Sequence, residues 1–521
     1  MSAQPFDLVV IGGGINGCGI ARDAAGRGLT VCLAEKGDLA QATSSASTKL
    51  FHGGLRYLEY FEFRLVREAL EERETLLRAM PHVAWPLRFV LPLDPAMRFA
   101  ADTPAARLLA RVMPWQRGRR PDWMIRAALF LYDRLGGRRI LPGTRTLDLR
   151  QDAAGAALRP DLRRAFEYSD CWVEDSRLVV LNARDAAARG ARVLTRCTVV
   201  SARRSGGLWQ VALRHADGAD ETVAARALVN AAGPWVAEVA GARLGQNAGP
   251  RIRLVRGSHI VTRRLYDHDR CYFLQGPDGR IVFLIPYERD FTLIGTTDRD
   301  HDGPPEAAAC SDDEADYLLA FANRYLARPV GREAIVWRYS GVRPLIDEGA
   351  ASASAATRDY RVTLDAEGAP LLTVHGGKIT TYRRLAEAAL ARLAPALGVT
   401  AGPWTAGVPL PGGDFPVAGF DALVAGLRAD YPFLAPDHAR RLARAYGTEA
   451  RTILGAARAP DELGEDFGAT LTGAELRWLA AREYARTAED VLWRRSKLGL
   501  RLSPAQAARV EAALAEIVRG G

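Results

Sequence analysis

Residues 7–36 restrict this chain more than any other stretch. D-L-V-V-I-G at 7–12 is an apolar run of strand length, G-G-G-I-N-G-C-G occupies 12–19, a helical pattern runs to about Arg27, and a second strand spans 29–34 before Glu35-Lys36. This is a β-turn-α-β unit with Gly12, Gly14 and Gly17 in G-x-G-x-x-G spacing and an acid about 20 residues on. Glycine permits the tight turn and the close approach of backbone to ligand, and the helix N-terminus turns free N–H groups and a positive dipole end toward a pyrophosphate. Glu35 can accept from a ribose 2′-hydroxyl, and its charge argues against a 2′-phosphate. The unit predicts a dinucleotide site and by itself does not separate FAD from NAD.

At 521 residues the chain is long enough for about two to four domains, and 48% apolar with 25% charged residues suits a globular protein with large cores. The six cysteines (18, 32, 171, 197, 271 and 310) are scattered without a C-x-x-C pair, so we expect reduced core thiols, no metal site and no disulfides. No apolar run reaches 18 residues, and M-S-A-Q-P-F-D lacks signal-peptide features, so the expected location is the compartment of synthesis. Ten Arg against three Asp between 98 and 139 carry +7 of the net +9. The near-neutral remainder argues against a nucleic-acid binder with a general basic face. Only four of the 70 basic residues are lysine, at 36, 49, 378 and 497; such positions can mark a need for a compact ammonium.

Helical patterning recurs at 62–80, and strand-like alternation runs through 192–230 to a small-residue tip, Asn230-Ala-Ala-Gly233. Short strands between 252 and 297 suggest an antiparallel sheet, and A-I-V-W-R-Y-S-G-V-R leads to Arg343. A helix is expected over about 379–397, then a Pro/Gly linker, then helices to the end. His-Gly-Gly occurs twice, in F-H-G-G-L-R-Y (51–57) and V-H-G-G-K-I-T-T (374–381), each with a cation close behind. Taken alone, these could be two unrelated turns.

V-I-G-G-G-I-N-G-C-G, T-S-S-A-S-T-K-L-F-H-G-G-L-R-Y-L-E, F-E-Y-S-D-C-W-V-E-D-S-R-L, V-N-A-A-G-P-W-V, R-G-S-H-I-V, I-G-T-T-D, Y-S-G-V-R-P-L and H-G-G-K-I-T-T-Y-R follow one another in order. This set closely resembles the FAD-dependent, membrane-associated glycerol-3-phosphate dehydrogenases, and similarity continues into G-E-D-F-G and D-V-L-W-R-R-S-K. The resemblance implies an α/β fold: a Rossmann-like FAD-binding domain of the D-amino-acid-oxidase/glutathione-reductase type, an antiparallel-sheet substrate domain and a helical C-terminal domain. We divide the chain accordingly into 1–81, 159–250 and 335–398 for FAD, 82–158 and 251–334 for substrate, and 402–521 as a helical cap.

The resemblance also implies FAD as cofactor and brings both His-Gly-Gly segments to the flavin. It sets FAD against Gly12, Gly13, Gly14, Asn16, Gly17 and Glu35, then against Thr43, Ser44, Ser45, Thr48 and Lys49, although that stretch could also be a solvated loop. Further contacts fall to His52, Gly53, Gly54, Gly233, Gly341, Gly376, Gly377, Lys378 and Thr380. Arg56, Tyr57, Thr296 and Lys378 are implied for substrate binding, with Arg343 and His259 near the reacting alcohol. Lys49 either meets the flavin ring region or is solvated, and Asp298 could be structural. The implied reaction takes sn-glycerol 3-phosphate to dihydroxyacetone phosphate, with electrons passing to a membrane quinone. Oxygen as acceptor, or a non-catalytic flavin-binding protein docked on membranes, are the alternatives. Arginine ordinarily stays protonated, which suits Arg343 to stabilising alkoxide charge, whereas His259 has the better ordinary pKa for a general base; the sequence does not choose between them.

The Arg-rich segment places Arg107 and Arg111 four apart, with Leu108, Leu109, Val112 and Met113 on another face, followed by Trp115, Trp123 and Phe130. Arginines among aromatics fit a helix lying on an anionic bilayer, and equally an amphipathic helix packed on its own domain. The expected location is thus cytoplasmic, peripherally on the inner face of the cell membrane. Helices beyond 402 suit a cap, a homodimer contact or a partner site.

Overall fold

A computed structural model describes residues 4–94, 103–112, 121–246, 249–276, 279–347 and 359–520. Two large sheets form two regions, and a third, helical region is docked on both.

The first sheet has eight strands. Its parallel core runs Leu371–His375, Asp220–Asn230, Phe6–Ile11, Val31–Ala34 and Arg192–Leu194. Phe6–Ile11 and Val31–Ala34, in the middle of this order, are buried on both faces over most of their length, which is why FDLVVI and VCLA read as continuous apolar runs rather than alternating ones. Register sets Ile11 beside both Ala34 and Asn230. Gly12, Glu35 and Ala231 therefore leave the sheet together at its carboxyl edge, where open α/β sheets hold ligands. The helices Ile15–Gly26, Asp175–Ala188 and Tyr382–Leu397 cover one face and share a core with Leu8, Val10, Leu33 and Val229.

The second sheet has ten strands, antiparallel apart from one parallel contact between Ala84–Pro92 and Cys271–Gln275. Leu50–Phe51, Arg164–Val173 and Ile335–Ile346 belong to it, although the sequence division assigned those ranges to the cofactor region. Edge-on hydrogen bonding decides this membership. The 335–346 strand pairs with Ile252–Arg263 through eleven register positions, a partner some 80 residues away that periodicity cannot name.

Beyond 402, the helices Phe420–Asp430, Pro436–Tyr446, Gly473–Arg482 and Pro504–Gly520 enclose a separate core including Leu427, Leu442, Phe467, Leu476 and Val510. Buried ion pairs dock this region: Arg177 with Glu483, and Arg494 and Arg495 with Asp38.

Among its described residues the Arg-rich segment contains two helices, Pro104–Val112 and Asp122–Leu135. Leu108 (56% exposed), Trp123 (57%) and Phe130 (50%) face outward beside the exposed Arg107 and Arg111. Leu108 thus shares the exposed surface with the arginines rather than lying on a separate apolar face. Met113 and Trp115, and the side chains of Leu109 and Val112, lie outside the described residues. No helix among the described residues is long and apolar enough to cross a membrane.

Candidate functional site

The dinucleotide cradle starts at Gly12, whose φ of +111° excludes ordinary side chains and whose Cβ would lie 2.6 Å from the Ala231 carbonyl. The 15–26 helix begins with Gly14 as an N-cap that makes no side-chain cap bond, and its first turn holds no acidic residue. The Ile15 N–H donates to Ser44 Oγ (3.0 Å), and Asn16 Nδ2 donates to the Gly376 carbonyl (3.1 Å). Asn16 Oδ1 is buried without a hydrogen-bond partner. A positive helix end with no acidic residue in its first turn fits a bound pyrophosphate. Glu35 accepts from the Gly13 N–H (2.6 Å) and the Gly37 N–H (2.7 Å), so it closes the glycine turn. Burial raises its pKa against those hydrogen bonds. Gly233 (φ +56°) follows the Ala231–Ala232 tip that abuts Gly12.

The 43–49 loop is half-buried rather than solvated. Thr43 Oγ1 donates to the Val342 carbonyl (2.6 Å), Ser45 Oγ to the Ala42 carbonyl (3.2 Å), and Gly341 leaves room for Ala46. Lys49 corrects the solvated alternative, because its side chain is fully buried and its ammonium donates to Asp175 Oδ1 (2.6 Å) and the Ser45 carbonyl (3.1 Å). A buried charge must be paired, so this ammonium fixes the loop from inside.

Two adjacent strands, Ile252–Arg263 and Ile335–Ile346, bring His259 and Arg343 into one cluster. His259 pairs in register with Tyr339, and the rings stack at 4.8 Å with 12° between planes. Thr48 Oγ1 lies 3.0 Å from His259 Nε2, while Nδ1 is buried without a hydrogen-bond partner. Burial first, then the charges of Arg343 and Lys49, holds the imidazole pKa well below the ordinary histidine value. The ring is therefore neutral at physiological pH. In the tautomer whose Nε2–H donates to Thr48, Nδ1 is left as an acceptor. Arg343 donates through Nη1 to Asp298 Oδ1 (2.6 Å) and through Nη2 to Thr296 Oγ1 (3.0 Å). A Cβ on Gly257 would overlap the Arg343 guanidinium, and one on Gly295 would overlap the His259 ring, so both side chains lie flat on backbone.

The two His-Gly-Gly segments meet beside this centre. The Lys378 ammonium sits 4.0 Å above the Tyr57 ring. Arg56 Nε is buried without a hydrogen-bond partner. The Pro344 carbonyl lies 3.6 Å from where a Gly376 Cβ would stand, which brings Arg343's neighbour to the second segment. His52 is half-buried, and Thr380 is buried in the turn Ile379–Thr381. Sequence reasoning missed Tyr339, the ring behind His259, and Tyr132, whose hydroxyl accepts from the Gly53 N–H (2.7 Å). Strand register and helix docking select these, and no local signal marks them.

Residues 7–383 match the FAD dependent oxidoreductase family, and residues 403–519 match the C-terminal domain of alpha-glycerophosphate oxidase. The chain is 49% identical over 507 residues to a D-erythritol 1-phosphate dehydrogenase of Brucella abortus, covering 97% of each chain. It is 49% identical over 510 residues to a glycerol-3-phosphate dehydrogenase of Pseudomonas aeruginosa, covering 98% of this chain and 94% of that one. Among solved structures, the glycerol-3-phosphate dehydrogenase of Bacillus halodurans complexed with FAD superposes with a TM-score of 0.72 at 25% identity, over 100% of this chain and 95% of that one. A D-amino-acid-oxidase-type fold with a glycine cradle, a full-length match and this ordered site make the chain a member of the FAD-dependent glycerol-3-phosphate dehydrogenase family.

Proposed function

We propose that the protein oxidises sn-glycerol 3-phosphate to dihydroxyacetone phosphate and delivers the electrons to a membrane quinone. The observations that support this reading are the Lys378–Tyr57 contact, with Arg56 the residue before Tyr57, and the Arg343–Thr296 hydrogen bond on the strand whose Pro344 carbonyl approaches Gly376. Bound FAD supplies a hydride acceptor that can later release electrons singly or in pairs. Arg56 and Lys378 hold the phosphate dianion, the first as a planar fork and the second as a point charge. Thr296 and Arg343 face the alcohol, where the guanidinium stabilises negative charge on oxygen as the proton leaves. His259 takes that proton at Nδ1; its depressed pKa keeps it in the accepting form.

Electron delivery needs an approach for an apolar acceptor. A cavity of about 110 Å³ is lined by Leu55, Phe61, Ala105, Met124, Ile125 and Phe273, with Arg56 in its wall. Exposed Phe61, Leu108, Trp123 and Phe130 surround this part of the molecule, and such rings among arginines suit the surface of an anionic bilayer. High salt should then release part of the protein from membranes without detergent, and a fully soluble fraction at low salt would count against docking.

The deciding test is anaerobic titration of the yellow protein with sn-glycerol 3-phosphate while following flavin absorbance. Bleaching supports the reading, and an unchanged spectrum refutes it. D-erythritol 1-phosphate belongs in the same titration, because the Brucella relative named for it is as similar as the Pseudomonas glycerol-3-phosphate dehydrogenase. Hydrogen peroxide yield with and without quinone separates a dehydrogenase from an oxidase.

A further inference from the structure

The helical C-terminal region reaches His259 through a column of rings. Trp493 stacks on Trp337 with centroids 4.5 Å apart and 28° between planes. Trp337 packs on Tyr339 at 4.8 Å and 36°, and Tyr339 on His259 at 4.8 Å and 12°. Local geometry builds the middle of the column. Residues 337 and 339 are two apart on one strand and share a face, while register sets Tyr339 opposite His259 and Trp337 opposite Val261. Glycine closes both ends: a Cβ on Gly499 would overlap the Trp493 indole, and one on Gly295 would overlap the imidazole. Neither outer ring can be thickened from behind.

The column is also held from the side. Tyr339 OH donates to the Ser47 carbonyl (2.9 Å), in the loop that carries Thr48. Trp493 lies in the turn Asp490–Arg495, whose Arg494 and Arg495 both bind Asp38 in buried pairs at 2.6 and 2.7 Å. The C-terminal region is thereby pinned to the loop just after Glu35 at the site's other end.

We infer that Trp337 and Trp493 are positioning residues for His259, so that the C-terminal region completes the active site by holding the imidazole between Tyr339 and Gly295. This rests on His259 being the proton acceptor. An imidazole with one face on Gly295 and the other on Tyr339 can tip only if Tyr339 moves, and Trp337 backed by Trp493 blocks that movement. Stacked aromatic pairs are worth more than their buried area alone, and small misplacements of a base are costly to rate.

The test is the rate of flavin reduction by sn-glycerol 3-phosphate, measured anaerobically by stopped flow, in Trp337→Leu, Trp493→Leu and the Phe variants at both positions. Leu at either position should slow reduction at saturating substrate by about three- to tenfold, with flavin content and the half-saturating concentration nearly unchanged, and Phe should restore most of the rate. Equal loss in Leu and Phe variants, or a change confined to half-saturation or flavin content, overturns the inference. Should the Leu variants fail to fold, Gly499→Ala pushes on the indole from behind and must slow reduction in the same way. His259→Asn separates the two claims. If it is slow while the Trp variants are normal, the column has no positioning role; if it reduces flavin at the full rate, the assignment of His259 fails and this inference falls with it.

Discussion

The two His-Gly-Gly segments share three letters and are built for different physical reasons. In the first, Gly53 is needed for space, since its Cβ would stand 2.5 Å from Leu70 Cδ2 and 2.8 Å from the Tyr132 ring, and only Gly54 is left-handed (φ +75°). In the second, both glycines are left-handed, at +71° and +106°, and Gly377 lies against Asn16 at the start of the cofactor helix. The first segment is held by helix packing and the second by backbone shape beside the cradle. They nevertheless deliver their following side chains to one contact, Lys378 over Tyr57. An identical triplet thus identifies a shared destination without identifying what makes glycine necessary at each.

Lys378→Ala offers the largest effect on that shared contact. Loss of a charged hydrogen bond costs about 1.5–3 kcal/mol, so turnover should fall and KM rise by about ten- to a hundredfold in total, with bound flavin largely unchanged. Normal steady-state kinetics would remove Lys378 from the site. Gly53→Ala and Gly377→Ala separate the two constructions. The former overpacks a core and should cost about 1–3 kcal/mol in denaturant unfolding with little change in flavin affinity. The latter adds backbone strain of about 1–3 kcal/mol beside Asn16, and should show itself as faster flavin release. Identical behaviour of the pair would erase the distinction.

The pH response should also differ in sign. Beside the first segment, Asp170 accepts from the Tyr132 hydroxyl and from Arg73, and burial pushes its pKa up to about 6 despite that cation. A raised acid contributes stability that is fully present below its unfolded pKa and is lost as pH rises through about 6. Wild type compared with Asp170→Asn should therefore lose relative stability as pH increases across that range. In the second segment His375 is depressed by burial and then by Arg361. Its contribution is present above the unfolded histidine pKa and is lost as pH falls, so His375→Gln should flatten that acid side in thermal unfolding. The smallest effect belongs to Tyr57→Leu, which removes the ring beneath the ammonium and should raise KM about two- to fivefold; no change would make the Lys378–Tyr57 contact incidental.

Much of the frame was legible. The strand-turn-helix of 7–26, the acid at 35 and the antiparallel character of 252–297 are local patterns, and the helix expected over 379–397 forms as a turn at Ile379–Thr381 followed by Tyr382–Leu397. The division between regions was less legible. The 335–346 strand follows the substrate strands in sequence and was assigned to the cofactor region, yet eleven positions of pairing tie it to 252–263. Lys49 shows the same limit at one residue. A lysine after a run of Ser and Thr reads as solvated or cofactor-facing, and only the folded chain brings Asp175 to within 2.6 Å of it.

By itself the sequence determined where backbone must be bare, where helices start and which residue types could hold an anion, because these depend on dihedral limits and charge within a few positions. Tertiary structure alone decided that Tyr339 backs His259, that Trp493 of the last region stands behind both, and that Lys378 rides on Tyr57. Such contacts depend on strand register and domain docking between residues tens to hundreds of positions apart, and no local period encodes which remote surface a side chain will meet.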